Sequence, residues 1–244
     1  KFRIVDYQIV NGCQTSHLLF RNQENLTNTV FIPIKLIVTD NNDVINMIIM
    51  ATNRQTEVKI EAFESLQPFQ KELEEYYLSF RKDKGIPLYY ERRSKQYNYK
   101  GIPDNQIISL TAQVKSFLSM FMSEPHSTHR YYGELIKAYR DRIFLESHSL
   151  YPYFISGYSL YKIEQLFENN KIDKRKRKYK HQLLMLFRMI TEEEKMPYLN
   201  HRKKIEEYCE RVFSFLQTEQ SMIEKFNNCI DVLNKAIKNT SYQE

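Results

Sequence analysis

Ile9-Val10-Asn11-Gly12-Cys13-Gln14-Thr15 stands near the start of the chain, and the segments around it can be ordered from it. The run before it, residues 2–10 (FRIVDYQIV), alternates imperfectly and ends apolar, as a strand does. It stops at Asn11-Gly12, a tight-turn dipeptide. Residues 15–22 then take on helical character. A strand that turns on glycine into a helix leaves backbone N–H groups free at the positive end of the helix dipole. That geometry suits an anion such as phosphate.

Working outward, residues 23–29 read as a polar loop, and Val30 to Thr39 (VFIPIKLIVT) as the strongest strand in the chain. Pro33 within it predicts an edge strand or a bulge. Residues 40–43 (DNND) form a capping cluster ahead of a short buried helix to Thr52. Ala51-Thr52-Asn53-Arg54-Gln55-Thr56 makes a second polar turn. Lys59 to Arg81 reads as an amphipathic helix with a break near Pro68, its stripe formed by Leu66, Phe69, Leu73, Tyr76, Tyr77 and Phe80.

Residues 86–93 (IPLYYERR) predict a strand ending in charge, and residues 94–101 a polar, tyrosine-bearing loop. Beyond Pro103 the pattern is helical, with helices predicted over 105–122 and 130–139. Pro152 and Gly157 suggest a break before a shorter helix ending at Phe167. Amphipathic helices follow over 181–190 and within 202–238. The expected fold class is α+β: a small α/β unit with a trailing strand and loop over 1–101, then a mainly helical domain over 102–244.

With 42% hydrophobic and 27% charged residues, the 244-residue chain has the composition of a globular protein, not a disordered one. A net charge of +6 is compatible with an anionic partner and equally with an ordinary basic surface. Cys13, Cys209 and Cys229 are widely spaced, with no Cys/His cluster, so neither a disulfide framework nor a zinc site is indicated, and a reducing cytoplasmic compartment fits. No apolar run is long enough for a membrane span. The chain opens on Lys, not Met, and is expected to be a fragment of something longer.

Four stretches together resemble the AIPR family, the bacterial abortive-infection phage-resistance proteins. They are Val10-Asn11-Gly12-Cys13-Gln14-Thr15, Pro33-Ile34-Lys35, Ala51-Thr52-Asn53-Arg54-Gln55, and Leu88-Tyr89-Tyr90-Glu91-Arg92-Arg93. Many members look like NGGQT at the turn, where this chain has Cys13 in place of the second glycine. A more distant similarity is to the ParB-like, sulfiredoxin and DGQHR-type layout, in which two polar turns line one nucleotide-phosphate site. By that resemblance Gly12, Gln14 and Thr15 look like the first turn, and Asn53 and Gln55 like the second; Asn11 is a further candidate for phosphate binding beside Gly12. The first turn lacks the basic residue often found there; Arg54, Arg92 and Arg93 are the substitutes.

The resemblance implies bacterial anti-phage defence, with the α/β unit binding a nucleotide or nucleic-acid phosphate. Amide side chains suit such a site because they offer donors and an acceptor without negative charge. Two other readings stay open: an NTPase or metal-dependent nuclease, and a non-catalytic sensor that binds a phage or host protein through the helical region. Catalytic residues are not assigned and no metal site is predicted. Mg²⁺ accompanying a nucleotide is the one candidate cofactor. Glu91-Arg92-Arg93 reads as part of the site or as a surface ion pair. Cys13 reads as a small packed residue in preference to a nucleophile. The run Lys174-Arg175-Lys176-Arg177-Lys178 reads as a nucleic-acid contact or as a solvated face.

Overall fold

The computed structural model describes residues 9, 12–39, 63–98, 100–192 and 194–240. The chain divides into two compact units, residues 1–59 and 60–244.

In the first unit, helix α1 spans Cys13–Arg21. Asn22 closes it, its side-chain amide donating to the Leu18 carbonyl at 2.8 Å. A 3-10 turn follows over Gln23–Asn25. The strand expected over Val30 to Thr39 is not seen: among the described residues this segment pairs with no strand. Phe31, Ile34 and Val38 are exposed at 87, 80 and 90%. The β-branched pattern favours extended backbone, but a strand needs a partner to satisfy its N–H and C=O groups, and Pro33 removes one donor.

The second unit begins its main helix, α2, at Pro68 and runs to Lys84. Pro68 occupies the first turn, where a missing N–H costs nothing. Phe69, Leu73, Tyr77 and Phe80 face inward. Strand β1 (Tyr89–Glu91) pairs in parallel with β2 (Ile107–Ser109), Tyr90 opposite Ile108. Two short strands are marginal alone. Here the Tyr90 hydroxyl donates to Gln70 on α2, and the Gln70 amide donates to Glu64.

Helix α3 (Leu110–Phe121) starts five residues after the predicted point. Residues 107–109 belong to the sheet, and the Ser109 hydroxyl then accepts the Ala112 N–H at 3.2 Å as an N-cap. Helices α4 (Tyr132–Tyr139), α5 (Tyr151–Glu168), α6 (Lys180–Thr191), α7 (Arg202–Ser214) and α8 (Glu219–Thr240) complete the described elements. The break expected at Pro152 and Gly157 is absent. Pro152 lies in the first turn of α5, and Gly157 sits mid-helix.

Every residue of α5 from Tyr151 to Tyr161 is buried, which makes this helix the centre of the unit. Its rings pack on three neighbours. Tyr153 stacks on Phe117 of α3 at 3.8 Å, Phe154 on Phe80 of α2 at 3.9 Å, and Tyr151 meets Phe213 of α7. Buried tyrosine hydroxyls need partners. Tyr77 donates to Gln113 at 2.6 Å, and the Gln113 amide donates to the Tyr153 carbonyl at 2.8 Å. The Tyr153 hydroxyl accepts the Phe144 N–H at 2.7 Å.

Gly157 explains how α2 comes so near α5. A Cβ at this position would lie 1.9 Å from the Tyr77 hydroxyl and 3.2 Å from Gln113 Oε1. Tyr77 is fully buried and cannot swing aside. Gly157→Ala is therefore expected to destabilise the protein by about 1–3 kcal/mol in urea denaturation, overriding alanine's better helix propensity. In a Tyr77→Phe background, where the clashing oxygen is gone, the loss should shrink. Equal penalties in both backgrounds would contradict this packing.

Candidate phosphate site

Gly12 has φ 116° and ψ 10°, a left-handed conformation that side-chain-bearing residues rarely adopt. It caps α1, and its carbonyl accepts the Ser16 N–H at 2.8 Å. As N-cap, Gly12 has no side chain to bond the first turn of the helix, and no acidic residue lies in that turn. The turn is thus a glycine entering an uncapped helix N-terminus, as the Asn-Gly dipeptide suggested. Thr15 is exposed on the first turn. Gln14 lies in the helix, and Asn11, Asn53, Arg54 and Gln55 fall outside the described residues.

Arg92 and Arg93 follow β1 in the second unit. Arg92 donates through Nε to Glu74 at 2.6 Å and through Nη1 to the Ser65 carbonyl at 2.8 Å. Its side chain is only 13% exposed, so this ion pair is better shielded from water than a surface pair. Arg93 is exposed. Glu74 also takes hydrogen bonds from the Gln96 amide and the Tyr97 hydroxyl. Burial, and then Glu74 beside it, push the Tyr97 phenol up to about 12, so it holds its proton as a donor.

Beside this cluster lies an open pocket of about 440 Å³. Arg81, Tyr89, Tyr97 and Lys100 line it, with Leu88 and Ile102 on its apolar side. Residue-type patterns gave little notice of it. Its one sequence signal was the tyrosine-bearing loop over 94–101.

The basic run forms a 3-10 helix, Lys174–Tyr179, capped by Asp173. Arg175 forks onto Asp173, and Arg177 pairs with Glu164 at 2.7 Å and Glu168 at 3.8 Å. Among the described residues the exposed Lys174 and Lys178 form no ion pair, whereas Lys176 is half-buried and acts on Asp173. Cys209 and Cys229 are buried free thiols. No group of three or more His, Cys, Asp or Glu gathers as a metal site among the described residues.

These features define an α+β protein with a glycine-turned helix N-terminus in one unit and a largely helical second unit. Among the described residues, no helix is long and apolar enough to cross a membrane. The AIPR protein family model matches residues 1–241, and the chain belongs to the AIPR family. Family membership associates it with anti-phage defence by abortive infection. Neither the curated proteins nor the solved structures compared with the chain give a match.

His181 lies on α6 next to the basic run, and its Nδ1 is 3.1 Å from the Ser119 hydroxyl. Burial, with Lys180 and Lys115 nearby, lowers its pKa to about 4. The folded state thus prefers neutral His181 more than the unfolded state does. Stability is complete above about pH 6.5 and falls as pH drops from there towards 4, by on the order of 2–3 kcal/mol for this group. His181→Gln should flatten that part of the pH–stability curve. An NMR titration of His181 with a midpoint near 6.5 would contradict the assignment.

Proposed function

We propose that the chain is a cytoplasmic bacterial anti-phage defence protein that binds the phosphate of a nucleotide or nucleic acid at the Gly12 turn. The observation that carries this reading is the left-handed Gly12 at the head of an α1 whose first turn has neither a side-chain cap nor an acidic residue. The N–H groups that a helix N-terminus leaves without an intrahelical partner and the helix dipole together favour a phosphate there. Thr15, exposed on the first turn, offers a hydroxyl donor, and Gln14 is the second candidate by the family resemblance. In the ParB-like layout that the sequence resembles, Asn53, Arg54 and Gln55 form the facing wall. Independently of that turn, the exposed Lys174 and Lys178 of the second unit suit sequence-independent contact with nucleic-acid phosphate, with a steep salt dependence.

A ligand that binds only the folded state raises the melting temperature. At about 100-fold excess over Kd it adds about 2.7 kcal/mol. In a thermal-shift screen against nucleoside triphosphates, with and without Mg²⁺, at least one is expected to raise Tm for the wild type. Gln14→Ala and Thr15→Val should each reduce that rise while leaving the ligand-free Tm unchanged. A flat wild-type response across nucleotides and single-stranded oligonucleotides would contradict the reading. Phosphate release in the Mg²⁺ samples would identify an NTPase.

A further inference from the structure

The pocket beside Glu74 has a composition that the Gly12 turn does not explain. It opens between α2, β1 and residues 94–102, all within the second unit. Arg81 lies over the Tyr89 ring, its guanidinium carbon 4.1 Å from the ring centre. Tyr89 meets Tyr97 edge-on at 5.3 Å, and the Lys100 ammonium lies 5.3 Å from the Tyr97 ring. Among the described residues neither Arg81 nor Lys100 has an ion-pair partner. The one carboxylate in the wall, Glu74, is bound by Arg92, Gln96 and Tyr97, so it does not cancel them.

Two cations without carboxylate partners, set against a pair of tyrosine rings, suit a ligand that is flat at one end and anionic at the other. An inorganic anion has no use for the rings, and an apolar ligand has none for two unneutralised cations. A guanidinium held over a tyrosine presents both a stacking face for a base and a fork of N–H donors for phosphate. Lys100, exposed at the mouth, adds a mobile point charge. The pocket's volume of about 440 Å³ lies in the range of about 300–1,000 Å³ typical of small-molecule sites.

We propose that the Arg81–Tyr89–Tyr97–Lys100 pocket binds a nucleoside phosphate, either free or as one nucleotide of a single strand. The base stacks against the Arg81–Tyr89 pair and the phosphate lies between Arg81 and Lys100. This site is separate from the Gly12 turn and carries its own ligand.

Isothermal titration calorimetry with AMP, ATP, inorganic phosphate and a short oligo(dT) strand tests it. Wild type should bind AMP, ATP or the strand, and inorganic phosphate far more weakly. Arg81→Gln, Lys100→Gln and Tyr89→Leu should each weaken that binding by about tenfold or more, in line with the loss of one stacking or charge contact. Circular dichroism and Tm of each variant should match the wild type. Binding of oligo(dT) with no binding of free nucleotides, still lost in the variants, identifies a strand as the source. The proposal is overturned if nothing binds, or if the three variants bind as wild type does. Loss of binding in Gln14→Ala alone overturns this pocket and leaves the Gly12 reading standing. Loss in the Arg81 and Lys100 variants, with Gln14→Ala unaffected, does the reverse.

Discussion

The second unit is held in register by one close approach: Tyr77 of α2 against the bare backbone of Gly157 on α5. No Cβ fits between them. The Tyr77 hydroxyl uses that space to reach Gln113 on α3, whose amide returns to the α5 backbone and to Ser156. Three helices are thus tied through one buried hydrogen-bonded chain. In such a network each member left without its partner costs more than the bond contributes when made. The position of α2 then fixes β1, because Tyr77 stacks on Tyr90 at 5.5 Å and Tyr90 bonds to Gln70. Arg81, one turn beyond Tyr77, and Tyr89, beside Tyr90, inherit their placement from this contact.

A core rich in tyrosine carries polar atoms into the interior, and the chain satisfies them locally. Arg188 is the extreme case. It is buried, yet its guanidinium donates to the Met120 carbonyl, the Tyr208 hydroxyl and the Ser123 hydroxyl. Met120 lies in the last turn of α3, where the carbonyl end of the helix favours a cation. A charge held this way joins α3, α6 and α7 at a defined angle, which a purely apolar contact would leave freer to slide.

Much of this could be read from the residues. The Asn11-Gly12 dipeptide marked the start of α1, and the stripe from Phe69 to Phe80 marked α2. The α+β class followed from the same patterns. The differences have local causes. Ile107 and Ile108 fit a helical stripe as well as a strand, and only the distant partner β1 decides between them. Pro152 looked like a break because its place in the first turn of a helix is visible only once the helix start is known. Gly157 looked like a breaker because the tyrosine it accommodates is 80 residues away in the chain. For the run through Pro33, β propensity alone did not supply a pairing partner. The wall formed by Arg81, Tyr89 and Lys100 joins a helix, a strand and a loop, and no sequence spacing announces such a meeting.

Two anion-adapted features in separate units, in a chain of the AIPR family, make phosphate recognition the central claim. Hydrogen–deuterium exchange with and without ATP, read by mass spectrometry, tests it most directly, because protection reports where a ligand contacts the backbone. The account predicts slowed exchange in peptides covering residues 12–20 or 81–102, with the α8 helix unchanged. Exchange unaltered in both segments at saturating nucleotide and oligonucleotide would contradict it.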